Sequence, residues 1–338
     1  MISLLTPAEA VEVVRSPFAA EDLGGRLLAV EMDTGPAVEA TRWLEASDAL
    51  RTLPCVSLAL GASARLRTDA FDVVVDESSP GGVALAADAV ARVVGRRPQA
   101  AMIAVQVLRA SAALDVADGL VLESMAYSTL QAGPEFRAWL AARPSQPVAV
   151  DDDLVVVAQL GDGNLRVTLN RPKVHNAFNS AMRDAMVEVL RPVVADPSIA
   201  VVELRGAGRS FCSGGDLNEF GSAPDPAAAH LVRVTRSPPW WVSQIGGRLK
   251  ATVHGACIGA GIELAAWASE VTATDDSYFV LPEVGMGLVP GSGGTVSLPR
   301  RIGRQRTAWL ALTGHRLDAD DAHRWGLVDR RVAALAPE

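Results

Sequence analysis

The sequence contains little of what marks a secreted, membrane-bound or metal-binding protein. Its three cysteines, Cys55, Cys212 and Cys257, show no CxxC spacing, and its five histidines form no HExxH motif. We therefore expect neither a disulfide framework nor a metal site. The first residues lack the segments of a signal peptide, and no apolar run is long enough to span a membrane. These absences favour a protein of the reducing cytoplasm.

Basic runs are also missing. The chain has 31 Lys and Arg against 39 Asp and Glu, a net charge of −8. Nucleic acid and membranes are therefore not expected as partners. Hydrophobic residues make up 49% of the 338 residues, which is enough for two domains or for one large domain with an appendage.

A domain boundary is predicted within residues 143–153. Two prolines, Pro144 and Pro147, disfavour helix there, and the acidic run 151–153 is typical of a solvated linker. We assign domains to residues 1–147 and 151–338. Strands and helices alternate on both sides, which predicts an α/β fold. The predicted strands are 27–32, 71–76, 154–160, 164–169 and 200–206, and the predicted helices are 38–50, 83–94, 99–113, 134–142 and 179–194.

Two glycine-rich stretches, 254–264 and 281–295, each contain a glutamate. Glycine lets backbone amides approach a ligand and lets a loop turn tightly into a helix. Two carboxylates in one pocket, here Glu263 and Glu283, can divide the roles of general acid and general base. The alternative is that both are solvated side chains near helix ends.

The order of five motifs makes residues 154–333 resemble the crotonase superfamily, which includes enoyl-CoA hydratases and isomerases. The motifs are Asn170-Arg171-Pro172 with 176–179, then 206–217, 254–264, 279–295, and 312–314 with 326–329. The resemblance implies the crotonase-like (ClpP/crotonase) ββα superhelix, a fold of the α/β class.

The same resemblance implies roles for individual residues. Glu263 and Glu283 would add water across the 2,3-double bond of an acyl-CoA thioester, and the amides of Ser213 and Ala260 would stabilise the enolate oxygen. Coenzyme A belongs to the substrate, so no separate cofactor is expected. Residues expected to contact the substrate are Arg171, Lys173, Ala177, Gly214, Asp216, Leu217, Gly259 and Gly291. Arg171 and Lys173 could instead be solvated cations of a loop.

Keeping both glutamates favours an enoyl-CoA hydratase, because isomerases of the superfamily usually keep one. The alternatives are an enoyl-CoA isomerase, another crotonase-type lyase, or a non-catalytic acyl-CoA-binding subunit. Family members commonly form trimers or dimers of trimers, so a homo-oligomer is expected.

Several neighbouring residues allow two interpretations. Trp240 and Trp241 could line the acyl pocket or anchor a loop or an interface, and Met286 and Leu288 could contact the acyl chain or pack in the core. Single histidines such as His175 and His254 are expected to be hydrogen-bonded structural residues.

The N-terminal residues resemble a degenerate, catalytically silent crotonase copy. Residues 86–101 are similar to the helices that usually close a crotonase, whereas the C-terminal portion is expected to lack those helices after Asp329. Residues 70–77 and 268–275 are placed like a distant repeat, although two unrelated α/β stretches would look the same. We expect helices within 86–113 to pack against the C-terminal domain, either of the same chain or of a neighbouring one.

Overall fold

The computed structural model describes residues 3–61, 66–143 and 154–334. The N-terminal portion, residues 3–143, contains β1 (Leu4–Leu5), α1 (Pro7–Val14), α2 (Ala19–Leu23), β2 (Leu27–Glu31), α3 (Ala40–Leu50), β3 (Val56–Leu60), β4 (Val73–Val75), α4 (Gly82–Arg96), α5 (Pro98–Ser111), α6 (Val116–Gln131) and α7 (Pro134–Ala141). None of the helices in the described ranges is both long and apolar enough to cross a bilayer.

The C-terminal portion, residues 154–334, continues the alternation. It contains β5 (Val156–Gly161), β6 (Asn164–Leu169), α8 (Ser180–Ala195), β7 (Val201–Gly206), α9 (Pro226–Thr235), α10 (Pro238–Ile245), β8 (Leu249–Val253), β9 (Ala256–Ile258), α11 (Ala260–Ala265), β10 (Glu270–Thr274), β11 (Tyr278–Val280), α12 (Gly294–Ile302), α13 (Arg304–Thr313), β12 (Leu317–Asp318), α14 (Ala319–Trp325) and β13 (Arg330–Val332).

The strands of the described residues form three sheets. The N-terminal sheet has the order β1-β2-β3-β4 and is parallel throughout. The largest sheet has the order β13-β10-β8-β7-β6-β5, in which only the β5–β6 pair is antiparallel. A small sheet, β12-β11-β9, lies beside the glycine-rich stretches. Because helices cover parallel sheets, their strands are apolar runs, and β3 is buried over most of its length.

The local predictions hold well. The predicted strands 154–160 and 164–169 form a hairpin with Gly161 opposite Asn164, and its two turn residues, Asp162 and Gly163, have φ values of 50° and 74°. This is the left-handed turn that matches strand twist. Helix α8 begins after Asn179, whose side chain accepts a hydrogen bond from the Met182 amide. Helix α6 has no counterpart among the predicted elements, and the predicted domain boundary falls mainly on residues outside the described ranges.

The N-terminal helices pack against the C-terminal portion of the same chain, as expected for residues 86–113. Helix α4 contacts α13, α5 contacts α12 and α13, and α6 contacts α9 and α12. One apolar core joins both portions and contains residues from Ala29 to Val328. Polar links accompany it, including the Ser111 hydroxyl on the Thr295 carbonyl at 2.9 Å and Arg304 paired with buried Asp72 at 3.2 Å.

Whether the N-terminal portion is a degenerate copy of the C-terminal one stays a prediction. In both portions, strands that follow one another in the chain lie side by side and parallel, as β1 to β4 do in the first sheet and β6, β7, β8 and β10 do in the second.

Candidate active site

A cavity of about 660 Å³ lies where the two portions meet. Its walls include residues of α6, α9 and α10 together with both glycine-rich stretches, and Glu263 and Glu283 both line it. This volume is within the range typical of small-molecule sites. The structure thus brings the two predicted carboxylates to one place.

Glu263 is held in a fixed position. Its side chain is buried in the first turn of α11, and Oε2 accepts hydrogen bonds from the amides of Ser292 at 2.7 Å and Gly294 at 2.9 Å. Both donors lie at the start of α12, where backbone amides lack partners within the helix. The second glycine-rich stretch therefore orients the carboxylate of the first.

Glu283 has a freer carboxylate. It is buried, yet its Oε2 has no hydrogen-bond partner among the described residues. A side chain at Gly259 would place its Cβ 2.5 Å from Glu283 Oε1, and Gly259 has a φ of 49°. Glycine is required there both for the backbone conformation and for the close approach of the carboxylate.

Burial governs the protonation of this pair. Desolvation raises the pKa of Glu283 to about 8. The pKa of Glu263 is raised well above its ordinary value by burial and then by the nearby Glu283 and Glu123 carboxylates, while the two amides act in the opposite direction. Near neutral pH the pair therefore retains a proton, which a general acid needs.

A third carboxylate that lines the cavity belongs to the N-terminal portion. Glu123 of α6 is buried; its Oε1 accepts from the Gly293 amide at 2.7 Å, and its Oε2 accepts from the Thr295 amide at 2.8 Å and hydroxyl at 2.7 Å. Burial raises the pKa of Glu123 to about 7. Glu263 and Glu123 thus alternate over the four consecutive amides 292–295.

Tyr127, one turn after Glu123, lies against Gly291. A Cβ at Gly291 would be 2.4 Å from the tyrosine ring. Sequence reasoning missed both α6 residues. The cap formed by Asp115, which accepts from the Asp118 amide, is the local signal that could have revealed the helix. No local signal indicates that Glu123 meets residues 170 positions away.

The two predicted oxyanion donors differ. Ala260 lines the cavity in the first turn of α11, where its N–H has no intrahelical acceptor. The Ser213 amide instead donates to the His175 carbonyl at 2.9 Å. The prediction of a free Ser213 donor is therefore not met in this structure, because the 170–178 loop folds back to accept that hydrogen.

Arg171, a predicted coenzyme A contact, forms internal contacts in this structure. It is buried, and its Nη1 donates to the Ala177 carbonyl at 2.5 Å and pairs with Asp216 at 2.9 Å. The contact of Arg171 with coenzyme A stays a prediction, whereas its alternative as a solvated cation is wrong, because the side chain is buried and an internal ion pair holds the loop together. Asp216 also lines the cavity. Lys173 is exposed on the short turn Pro172–Val174, and its contact with coenzyme A stays a prediction.

The remaining predicted contacts divide between the cavity and the framework. Gly291 lines the cavity, whereas Gly214 and Leu217 do not belong to the described wall. The Gly214 carbonyl accepts from the Phe178 amide at 2.7 Å, a framework contact. Substrate contacts by Gly214 and Leu217 stay predictions.

The structure also distinguishes between the two interpretations given for the tryptophans, for Leu288 and for the histidines. Trp240 lines the cavity, and its neighbour Trp241 packs on the core. Leu288 is fully buried in the core. His175 lies 3.1 Å from the Ser210 hydroxyl and His254 lies 2.9 Å from the Gly208 carbonyl, so both are hydrogen-bonded as expected.

Comparison with known proteins places this geometry in a family. Residues 161–336 match the family model described as enoyl-CoA hydratase/isomerase. The 1,2-epoxyphenylacetyl-CoA isomerase of Escherichia coli (strain K12) is 37% identical over 177 residues, covering 51% of this chain and 68% of that protein. The mevalonyl-coenzyme A hydratase SIDH of Beauveria bassiana is 35% identical over 195 residues, covering 55% and 69%.

Solved structures align with a similar share of the chain. An enoyl-CoA hydratase/isomerase from Mycobacterium paratuberculosis is 27% identical with a TM-score of 0.50, covering 54% of this chain and 75% of that one. An enoyl-CoA hydratase from Mycobacterium smegmatis is 32% identical with a TM-score of 0.50, covering 54% and 71%.

Proposed function

The chain belongs to the enoyl-CoA hydratase/isomerase family, and from that membership we propose that it is a 2-enoyl-CoA hydratase. The region matched by the family model has the crotonase fold. The observation that supports hydration over the family's other reactions is the pair of buried carboxylates, Glu263 and Glu283, on one cavity.

The proposed chemistry assigns each carboxylate a protonation state. A water molecule binds between them, and the ionised carboxylate takes its proton as the oxygen attacks the β-carbon. The protonated carboxylate delivers a proton to the α-carbon, so that one water is consumed and a 3-hydroxyacyl thioester forms. Glu283, with its unpartnered Oε2, is the better placed to bind the water, while Glu263 is already held by two amides.

Negative charge develops on the thioester oxygen during this addition. The N–H of Ala260 and the start of α11 are available to stabilise it. Ser213 becomes a second donor only if its amide leaves the His175 carbonyl.

The test is turnover of a panel of 2-enoyl-CoA thioesters by the protein and two variants, Glu263→Gln and Glu283→Gln. Each variant should lose about 10²-fold or more in turnover, because a general acid or base typically contributes roughly 10²–10⁴-fold. Glu270→Gln is a matched control, since Glu270 pairs with Lys250 and Arg330 on the large sheet. Near-normal rates in either cavity variant would rule out the paired mechanism.

The identity of the product separates hydration from the alternatives. Mass spectrometry of the product should show the addition of one water. A product of unchanged mass with a shifted double bond would make the protein an isomerase. Binding of every thioester without any turnover would indicate a non-catalytic subunit.

A further inference from the structure

Arg233 of α9 lines the cavity and reaches across to α6. Its Nε donates to the Ser124 hydroxyl at 3.0 Å, its Nη1 to Gln131 Oε1 at 3.2 Å, and its Nη2 to the Ser128 hydroxyl at 2.5 Å. The guanidinium lies 4.6 Å above the centre of the Tyr127 ring. All of these contacts are with uncharged groups.

The other cations of the cavity wall have carboxylate partners. Arg183 pairs with Asp184 at 3.0 Å, and Arg236 pairs with Asp184 at 3.0 Å and Glu188 at 2.9 Å. Arg233 forms no ion pair within the described parts of the chain, although it is half-buried. A charge withdrawn from water is costly unless an opposite charge accompanies it.

Glu123 of α6 does not form an ion pair with Arg233. Its two oxygens accept hydrogen bonds from Gly293 and Thr295, and it lies beyond ion-pair distance of Arg233. Burial also raises its pKa to about 7, so part of its population is neutral near neutral pH. Glu123 therefore attracts Arg233 only at a distance, and none of the described carboxylates forms a direct ion pair with its guanidinium.

A chain of contacts connects Arg233 to Glu263, one of the two carboxylates proposed to react. It stacks on Tyr127, Tyr127 packs on Gly291, and the next residue, Ser292, holds Glu263. Arg233 thus lies close to the part of the cavity where the acyl group must sit. The phosphates of coenzyme A are separated from the thioester by the whole pantetheine arm, so they are poorly placed to meet it.

We propose that Arg233 binds a carboxylate carried by the acyl group, so that the preferred substrates are 2-enoyl-CoA thioesters of dicarboxylic acids. This inference rests on the hydratase function proposed above. Four of the five N–H groups of Arg233 donate to Ser124, Ser128 and Gln131, so the second N–H of Nη1 remains to donate one charge-assisted hydrogen bond to a carboxylate. Arg233 is a specificity-determining residue in this proposal and takes no part in the proton transfers.

The experiment compares two enoyl-CoA thioesters of equal chain length, one ending in a carboxylate and the other in a methyl group. The wild type should prefer the carboxylate substrate in kcat/KM by about tenfold or more, as one charge-assisted hydrogen bond predicts. Arg233→Gln should remove the preference, because it should lower kcat/KM for the carboxylate substrate about tenfold more than kcat/KM for the methyl substrate. Arg233→Lys should keep part of the preference, and Arg236→Gln, the control for a paired arginine, should keep all of it.

Calorimetry measures binding of the corresponding saturated thioesters and of free coenzyme A. These affinities distinguish a failure of the hydratase proposal from a failure of the inference about Arg233. If no enoyl thioester is hydrated but the saturated dicarboxylic thioester still binds more tightly through Arg233, the hydratase proposal fails and this inference stands. If Arg233→Gln weakens free coenzyme A as much as both thioesters, Arg233 binds a phosphate and the inference is overturned. Equal binding and equal kcat/KM of the two thioesters in the wild type would also overturn it, whether or not the variants fold.

Discussion

At the scale of single residues, the protonation of Glu283 links stability to pH. Its pKa is raised by burial from 4.5 to about 8 in the folded state, so between these values the folded protein binds a proton that the unfolded chain has released. The stabilising contribution is complete below pH 4.5 and is lost as pH rises towards about 8. Glu263, with a pKa shifted in the same direction, adds to this trend.

We therefore expect the free energy of unfolding to fall between these two pH values, by up to about 1.4 kcal/mol per pH unit for each such carboxyl. Glu283→Gln should flatten the profile, because glutamine does not titrate. Urea unfolding of both proteins at several pH values measures the difference. Parallel profiles would mean that Glu283 is ionised in the folded protein.

A second residue-scale prediction concerns the backbone donors. Ala260→Pro should abolish turnover, since proline has no N–H, yet the helix should tolerate it because Ala260 is the first residue of α11. Ser213→Ala should change turnover little, since only the backbone of Ser213 is proposed to act. Rates and melting temperatures of both variants are the measurements. A large loss in Ser213→Ala with normal melting would instead assign a role to the hydroxyl group.

At the scale of elements, the start of α12 depends on two carboxylates from different parts of the chain. Glu263 of α11 accepts hydrogen bonds from the amides of Ser292 and Gly294. Glu123 of α6 accepts hydrogen bonds from the amides of Gly293 and Thr295. The helix start is satisfied only when α6 is docked. The carboxylate proposed to be catalytic and the carboxylate that docks α6 therefore accept hydrogen bonds from one set of neighbouring amides.

Glu123→Ala should lower the free energy of unfolding by about 1–3 kcal/mol, because buried amides of Gly293 and Thr295 lose their acceptor. Asp118→Ala on the same helix is the control, since Asp118 is exposed. Chemical denaturation of the two variants measures the change. Equal stabilities would show that water replaces the Glu123 carboxylate at no cost.

At the scale of the whole molecule, the N-terminal helices form part of the cavity wall. Leu120, Glu123 and Tyr127 of α6 line it together with residues of the C-terminal portion. Residues 154–334 alone would expose the apolar surface that now contacts α4, α5 and α6, and soluble proteins rarely expose large apolar patches.

The fragment 151–338 should therefore aggregate or bind acyl-CoA esters weakly, and fragment 1–150 added in trans should restore binding. Size-exclusion chromatography and calorimetric titration of the fragments, separately and mixed, measure both effects. The full chain passed through the same steps is the control. A fragment 151–338 that is soluble, compact and fully active would show that the N-terminal portion is an independent module.

The sequence by itself determined the features that depend on neighbouring residues. The hairpin turn at Asp162-Gly163, the Asn179 cap of α8 and the apolar strand β7 follow from backbone preferences over a few residues. The glycine-rich stretches placed each glutamate beside a tight turn, and the family resemblance implied that Glu263 and Glu283 share one site, where both line the cavity. Family resemblance supplied the order of these motifs.

Only the tertiary structure decided which partners the polar groups take. Arg171 pairs with Asp216, and the Ser213 amide donates to the His175 carbonyl. Glu123 accepts from amides at the start of α12, and Arg233 donates to the uncharged side chains of Ser124, Gln131 and Ser128. These outcomes depend on which distant segments pack together, and Glu123 and Gly293 are 170 positions apart. Local periodicity reports which face of a helix is apolar, but a buried polar group is satisfied by whichever donor or acceptor the fold brings within reach.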